Sequence, residues 1–230
     1  HVVPNGVDRE RFPPLADRAT MRRELTEAFG HPLPDDALLL CSVGRQVERK
    51  GFAWFVEHVM PRLPDDVHYW LAKEIRAAIA RHALAPRVRL LGRVSERNLV
   101  RLYRGADLFI MPNVPVKGDM EGFGIVMLEA GLCGCPTVAS RLEGIRDVIT
   151  EGVNGHLVAP TRPEAFIGAI RPYYEHPETL ATTSRRVARY VAATFNWSAV
   201  ADQYVATLKR VAASRAPDAL VPGLVVDAET

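Results

Sequence analysis

Residues 38–60 read LLLCSVGRQVERKGFAWFVEHVM, and they contain the first unit of a pattern that runs along most of the chain. The apolar run at 38–43 is typical of a strand that is covered on both faces. Apolar residues recur with helical spacing at 52–60, so a helix is predicted there. The polar segment between them, GRQVERKG, is interpreted as the loop that leaves the strand.

Strands and helices continue to alternate after this unit. Further strands are predicted at 67–72, 88–91, 107–111, 137–139 and 156–158, and helices at 74–84, 95–104, 125–133, 146–150 and 163–214. Alternation at this spacing predicts an α/β fold with a doubly wound, Rossmann-like parallel sheet. Ligands of such sheets bind beyond the carboxyl ends of the strands. We therefore expect a binding site in the loops after Val43, Leu91, Met111 and Ala139.

The composition is that of a globular protein without a strongly charged surface. The 230 residues suffice for one domain with its own core, and 48% of them are hydrophobic and 24% charged. The formal net charge of +2 is too small to favour nucleic acid as a partner, because nucleic-acid-binding proteins usually carry a concentrated basic stripe. No apolar run in the sequence reaches the ~20 residues that a membrane-spanning helix needs.

Three cysteines, Cys41, Cys133 and Cys135, stand in apolar surroundings. Their odd number argues against a disulfide framework and favours a reducing, cytoplasmic compartment. No cysteine or histidine pair nearby has zinc spacing, so we expect buried, unreactive thiols and no metal site. The first residues, HVVPNGVD, lack the features of a signal peptide and are typical of a strand running into a turn, so we expect the chain to be part of a longer protein.

The first candidate site is the loop after the first predicted strand, from Gly44 to Gly51. Arg45 leaves the strand at its carboxyl end, and Lys50 stands where the next helix opens. Backbone N–H groups at a helix start favour an anion, a guanidinium can clamp two oxygens, and an ammonium adds a point charge. These residues would suit a diphosphate, although the loop is neither a dinucleotide fingerprint nor a P-loop. A solvated basic loop is the alternative explanation.

The second candidate site is the segment EGFGIVMLE at 121–129. Gly122 and Gly124 let the backbone approach a ligand just ahead of a predicted helix. Glu129 lies within that helix on the same face as Ile125, between residues suited to burial, so its carboxylate needs a partner. The vicinal hydroxyls of a ribose or a sugar would satisfy it, because one carboxylate accepts two O–H donors. A structural ion pair between Glu129 and an arginine is the alternative.

Glu121 and Glu129 form a Glu-x7-Glu motif, and EGFGIVMLEAGLCGCPTVAS resembles the corresponding stretch of the family 4 (group 1) retaining glycosyltransferases of the GT-B fold. Six further stretches are similar to that family in the same order: PNGVD, VGRxxxxKG, RVRLLGRVS, LYRGADLFIMP, GVNGHLVAP and FNWSAVADQY. The likeness covers nearly the whole chain. It identifies the chain as the C-terminal, donor-binding domain of a two-domain enzyme.

The resemblance implies a role for each matching position. Arg45 and Lys50 would hold the donor diphosphate, and Gly44 of the same loop would also belong to the donor site. Glu129 would bind the ribose hydroxyls, and Glu121 would be the catalytic residue in contact with the transferred sugar. The backbone of Gly122, Phe123, Gly124 and Ile125 would meet the sugar and the distal phosphate, and the loop at Val94 would meet the base. The two cations would neutralise the leaving diphosphate, so no metal and no cofactor beyond the co-substrate is expected.

The implied reaction is transfer of a hexose from a GDP- or UDP-linked donor to a hydroxyl of a glycan, lipid or small-molecule acceptor, with retained anomeric configuration. Glu121 would position the sugar and stabilise charge, while the leaving phosphate would take the acceptor proton. Two alternatives stay open: a nucleotide-sugar-binding module without turnover, and one half of a sugar-nucleotide epimerase.

The chain departs from the family pattern in three places. The N-terminal acceptor domain is absent, so we expect residues 1–214 to form the donor domain, 215–230 to be a weakly ordered tail, and the fragment to bind donor weakly without transferring it. A peripheral contact with the inner face of the membrane would come through that absent domain. The connection at 70–74 is too short for the family's Gly-rich turn. The loop at 113–120 is longer than usual, as in some mannosyl-transferring members, and its charges Lys117 and Asp119 are interpreted as solvated.

Overall fold

The described part of the chain folds around one six-stranded parallel sheet. The structure is a computed structural model that describes residues 5–12, 17–45, 47–71, 76–119 and 122–214. Its strands are β1 (Leu38–Ser42), β2 (Val67–Leu71), β3 (Val88–Leu90), β4 (Leu108–Met111), β5 (Thr137–Ser140) and β6 (Gly155–Val158). They lie in the order β3-β2-β1-β4-β5-β6, and every neighbouring pair is parallel. The predicted α/β fold is confirmed, and each predicted strand is found to within one residue at either end.

Helices cover both faces of this sheet. They are α1 (Arg18–Phe29), α2 (Phe52–His58), α3 (Arg76–Arg81), α4 (Glu96–Gly105), α5 (Val126–Leu132), α6 (Pro163–Glu175), α7 (Leu180–Thr194) and α8 (Trp197–Ser214). Ser95 caps α4 as predicted, because its hydroxyl accepts from the N–H of Asn98 at 3.3 Å. The helical region predicted at 163–214 consists of α6, α7 and α8, with a 3-10 turn at Pro177–Thr179 between the first two.

The helix predicted at 146–150 is wrong. A 3-10 turn at Glu143–Ile145 is followed by irregular turns instead. The buried side chain of Asn154 explains the difference, since it accepts from the N–H of Thr150 at 2.7 Å and donates to the carbonyl of Val148 at 2.9 Å. These bonds satisfy backbone groups that a helix would have used.

Alternate residues of each strand point into two separate cores. Leu38 and Leu40 of β1 face a cluster covered by α2, α3 and α6. Leu39 and Cys41 face a second cluster covered by α1, α4, α5 and α7. This two-sided burial accounts for the apolar run that predicted β1, because a strand covered on both faces has no solvent-facing position.

A buried ion cluster closes the amino-terminal edge of the sheet. Asp107, which precedes β4, accepts hydrogen bonds from Arg18 at 3.1 Å, from Arg22, and from the N–H of Leu39 at 2.8 Å. Arg22 also donates to the carbonyl of Ala37 at 3.1 Å. The cluster therefore joins α1, β1 and β4 on the side of the sheet away from the strand ends where a ligand is expected.

The three cysteines are free and buried, as predicted, and burial raises the pKa of the Cys133 and Cys135 thiols, which keeps them unreactive. Among the described helices, none combines the length and the apolar content that crossing a bilayer requires. The connection at 72–75 and the tail at 215–230 lie outside the described residues.

Candidate functional site

A crevice opens at the carboxyl edge of the sheet between β1 and β4. From β1 the chain moves outward to β2 and β3, and it then returns to β4 on the other side of β1. Connections that leave such neighbouring strands in opposite directions create the crevice in which doubly wound sheets bind their ligands. Both candidate segments leave the sheet here, since 44–51 follows β1 and 112–125 follows β4.

The first loop is a compact turn built around Lys50. Residues Glu48–Lys50 form a 3-10 helix, and Gly51, with φ at 64°, joins it to α2. The buried Lys50 side chain runs across Gly44, because a Cβ added to Gly44 would lie 3.3 Å from the Cε of Lys50. Gly44 therefore leaves the space that the lysine occupies. Arg45 is exposed, and its guanidinium has no hydrogen-bond or ion-pair partner among the described residues.

This turn is attached to the loop that follows β4. A Cβ added to Gly51 would lie 1.9 Å from the carbonyl oxygen of Pro112, so the two backbones are in direct contact. The N–H of Val114 donates to the carbonyl of Arg49 at 2.9 Å. The contact and the hydrogen bond hold the Lys50 loop against the end of β4.

Arg49 also anchors the far end of the second loop. Its buried guanidinium donates through Nε to a carboxylate oxygen of Asp119 at 2.7 Å. The Asp119 side chain is nonetheless 48% exposed, so it faces solvent as interpreted from the sequence and is also paired with Arg49. Lys117 is exposed as well. The anchored loop leads directly to Glu121, which lies outside the described residues, and its catalytic role stays a prediction.

On the opposite face, the chain reaches α5 through Gly122, Phe123, Gly124 and Ile125. Gly124 has φ at 68°, and a Cβ there would lie 3.1 Å from the Cε of Met111. Phe123 packs partly buried against the second core, while Gly122 and Ile125 are exposed. No described residue accepts a hydrogen bond from the backbone N–H groups of 123–125. These groups can therefore donate to a ligand.

Glu129 lies one turn into α5 and is half-buried. The Tyr103 hydroxyl donates to its Oε2 at 3.2 Å. Burial raises the pKa of Glu129, while the Tyr103 hydrogen bond and the charge of Arg11 act to lower it. Arg11 is itself paired with Glu96 at 2.5 Å, and among the described arginines none forms an ion pair with Glu129. The partner of this carboxylate is thus a phenol rather than the arginine considered from the sequence.

Lys50 and Glu129 approach the crevice from opposite faces of the sheet, because α2 covers the first core and α5 the second. The end of β4 lies between them. The Pro112 carbonyl touches the turn at Gly51, and Met111 touches the segment that opens α5. The structure therefore places a buried cation and a half-buried acid on elements that flank the same strand end.

The site is an open edge of the sheet. Val94, the predicted base contact, is half-buried in the loop after β3, and Arg93 beside it is exposed. A cavity of about 440 Å³ opens at the opposite, amino-terminal edge, and a groove of about 670 Å³ runs between α1 and α4. Lys50 and Glu129 line neither of these two hollows. Within the described ranges, no group of three or more histidine, cysteine or acidic side chains is placed to hold a metal ion.

Two residues of this region were missed by the sequence reasoning. Arg49 was passed over although it stands directly before Lys50, because a charged residue in a loop gives no signal of burial. Tyr103 was quoted only as part of the LYRGADLFIMP stretch, 26 residues before Glu129. Its placement on α4 was predictable. The contact between its hydroxyl and Glu129 was not, because it depends on how α4 packs beside α5.

Comparisons with known proteins show the family of the chain. Residues 37–176 match the family model for glycosyl transferases group 1. A D-inositol 3-phosphate glycosyltransferase of Geodermatophilus obscurus is 32% identical over an alignment of 241 residues, gaps included. The alignment covers 96% of this chain and 50% of that protein. A phosphatidyl-myo-inositol mannosyltransferase of Mycobacterium tuberculosis is 32% identical over 230 residues, which cover 93% of this chain and 55% of that protein. The chain thus spans about half the length of these curated relatives.

Solved structures share the fold of this chain. Sucrose-phosphate synthase from Thermosynechococcus elongatus superposes with a TM-score of 0.74 at 26% identity, over 93% of this chain and 53% of that one. Anabaena HepE, in complex with UDP and glucose, superposes with a TM-score of 0.71 at 24% identity, over 91% of this chain and 56% of that one. With its Rossmann-like sheet and its match to the family model, the chain belongs to the group 1 glycosyl transferases.

Proposed function

We propose that this chain is the donor-binding half of a retaining hexosyltransferase, which moves a hexose from a nucleotide-diphosphate sugar to an acceptor hydroxyl. The observation that carries the proposal is the arrangement at the end of β4, where the Lys50 turn and the segment opening α5 meet the same strand end from opposite faces. A diphosphate donor has an anionic linker between two groups rich in hydroxyls. The crevice has cations on one side and a hydroxyl-binding acid on the other.

The diphosphate is assigned to the first loop. Lys50 supplies a buried positive charge whose position is fixed by its packing on Gly44, and the exposed Arg45 can close on the phosphate oxygens. Two such cations neutralise the charge that develops on the leaving nucleotide diphosphate. The proposed reaction therefore needs no divalent metal, and a metal chelator should leave nucleotide binding by this chain unchanged.

The nucleoside and the sugar are assigned to the second loop and its neighbours. Glu129 accepts the ribose hydroxyls, and Val94 lies beside the base. The backbone N–H groups of 123–125 donate to the sugar and the distal phosphate. Glu121 positions the transferred hexose, and the leaving phosphate takes the proton of the acceptor.

The proposed donor is a GDP- or UDP-linked hexose. The long loop before Glu121 favours mannose, and the name of one relative, a mannosyltransferase, supports that choice. The complex of HepE with UDP and glucose supports a uridine donor instead. Two relatives are named for acceptors that contain inositol, so inositol phosphates belong in the first acceptor assays. The open edge of the sheet fits an active site completed by a second domain, so we expect this chain to bind donor and to transfer nothing by itself.

Calorimetric titration of the chain with UDP and with GDP tests the proposal. One of the two nucleotides should bind, and Lys50→Ala should weaken that binding by about 1.5–3 kcal/mol, or roughly tenfold or more in Kd, because it removes a charge-assisted contact. Lys209→Ala is the matched control, since this lysine is exposed on α8. Binding that is lost equally in both variants, or no binding of either nucleotide by the native chain, would contradict the assignment.

A further inference from the structure

The hydroxyl of Tyr103 is a buried polar group that the proposed roles do not use. This residue lies on α4, has no exposed surface, and packs edge-on against Phe109 with 5.9 Å between ring centres. A phenol buried in this way needs a hydrogen-bond partner for its hydroxyl. That partner is Glu129 Oε2, at 3.2 Å. A core residue is thus bonded to the acid that we assign to the ribose.

The contact has a fixed direction. Burial and the neighbouring carboxylate hold the pKa of Tyr103 well above its ordinary value, so the hydroxyl keeps its proton and donates it. The buried ring fixes the position of the hydroxyl oxygen, so the hydrogen bond holds Glu129 Oε2 at that point. The described residues provide no hydrogen bond to Oε1, and Oε2 keeps a second lone pair. Both oxygens can therefore still accept hydroxyl groups.

We propose that Tyr103 is a positioning residue for nucleotide recognition, which orients the Glu129 carboxylate so that it accepts the two vicinal hydroxyls of the ribose. The inference rests on the proposed function of Glu129. It adds a specificity element, since a carboxylate held in one orientation distinguishes a ribose with both hydroxyls from one without them. A hydroxyl-binding site rejects an analogue that lacks the hydroxyl because its buried polar groups are then left unpaired.

The charged and titratable groups that face Glu129 come from three elements. Tyr103 and Glu96 belong to α4, Arg11 to the segment before α1, and Cys133 to the end of α5. Tyr103 and Arg11 lower the pKa of Glu129, and Glu96 raises it. Loss of the Tyr103 hydroxyl therefore raises the pKa of Glu129. As the pH falls, the carboxylate of the variant is then protonated at a higher pH than that of the native chain.

The test uses Tyr103→Phe in the full chain, titrated with UDP, GDP and their 2′,3′-dideoxy forms between about pH 4 and pH 8, a range that spans carboxylate titration. We expect a five- to tenfold weaker affinity for the ribonucleotide that the native chain binds, the size expected for the loss of one hydrogen bond of ordinary strength. Affinity for the dideoxy form should be unchanged. The low-pH limit of ribonucleotide binding should move to higher pH.

Two variants complete the design. Glu129→Gln should remove the preference for ribose over dideoxyribose, and adding Tyr103→Phe to it should have no further effect on that preference. Tyr173→Phe is the matched control, because this tyrosine is also buried but its hydroxyl contacts His156 at 3.3 Å. Near-native melting curves for each variant show that the fold is kept.

The outcomes separate the two proposals. If the native chain binds the ribonucleotide and its dideoxy form equally well, the proposed role of Glu129 is contradicted. The role of Tyr103, which depends on it, is then contradicted too. If the native chain and Tyr103→Phe discriminate equally, with the same pH limit, only the Tyr103 inference is overturned. Equal weakening for both nucleotide forms would likewise assign Tyr103 to structure alone.

Discussion

The binding role proposed for Glu129 requires a charged carboxylate, and that charge lowers the stability of the folded chain. Burial raises its pKa in the folded chain, so the folded state holds a proton more tightly than the unfolded state does. The stability that this provides is complete below the ordinary glutamate pKa and is lost as the pH rises through the folded pKa. At neutral pH the unliganded chain therefore carries a buried charge at a cost in free energy.

Glu129→Gln should remove that cost. We expect the free energy of unfolding at pH 7 to rise by only about 1 kcal/mol, because solvent screens a half-buried group. For a domain of this size the change corresponds to roughly 2–4 °C in Tm. Thermal unfolding at pH 7 and at pH 4 measures it, and the difference between variant and native chain should shrink at the lower pH. A lower Tm for the variant at pH 7 would contradict this account.

The same residue shows what local sequence can and cannot predict about the site. Gly44, Lys50, Gly124 and Glu129 could be selected from their residue types and positions. They are a glycine after a strand, a lysine where a helix opens, a glycine just before a helix, and an acid in an apolar helix. The partner of Glu129 could not be selected. A tyrosine in an amphipathic helix is ordinary, and only the packing of α4 beside α5 makes its hydroxyl part of the site.

At the scale of elements, the turn between β1 and α2 depends on Gly51. Its φ of 64° is unfavourable for other residues, and a Cβ would lie 1.9 Å from the Pro112 carbonyl oxygen. Both the strain and the clash involve backbone that cannot move without shifting the end of β4. The turn and the loop after β4 therefore form one unit that holds Lys50 in place.

Gly51→Ala should destabilise the chain by about 2–3 kcal/mol, as expected for a forbidden φ combined with overpacking. It should also weaken nucleotide binding, because Lys50 is displaced. Gly168→Ala is the matched control: this glycine lies inside α6 with no atom within 4 Å of an added Cβ, and alanine should be neutral or stabilising by about 0.5–1 kcal/mol. Denaturant unfolding of both variants gives the two values. Equal stabilities would show that the turn adapts.

Elements differed in how well local patterns predicted them, for physical reasons. The strands were found because burial on both faces leaves an apolar run. Helix α1 was not recognised from the sequence. Its buried positions are Met21, Arg22 and Leu25, and the arginine among them interrupts the helical spacing of apolar residues. Residues 146–150 are locally suited to a helix, which explains the wrong prediction. The side chain of Asn154, outside this segment, instead bonds the N–H of Thr150 and the carbonyl of Val148.

Across the whole molecule, the two edges of the sheet have separate tasks. The carboxyl edge is open and carries the proposed donor site. The amino edge is closed by Asp107, which binds two arginines and the β1 backbone. A parallel sheet of this kind can change its loops at one edge for binding while the other edge maintains the fold. Substitutions at the two edges should therefore have different consequences.

Asp107→Asn tests this separation. The change leaves Arg22 buried without a charged partner, and breaking a buried ion pair in this way costs about 3–5 kcal/mol. The free energy of unfolding should fall by roughly that amount, as measured by denaturant titration. Asp147→Asn, at an exposed position, should have almost no effect. Because Asp107 lies at the edge away from Lys50 and Glu129, the folded fraction of Asp107→Asn should bind the nucleotide with native affinity in calorimetry at low temperature.

An Asp107→Asn variant that remains stable would show that the amino-edge cluster contributes little to the fold. One that is stable but binds the nucleotide more weakly would show that the two edges are coupled through β1 and β4, the strands that connect them.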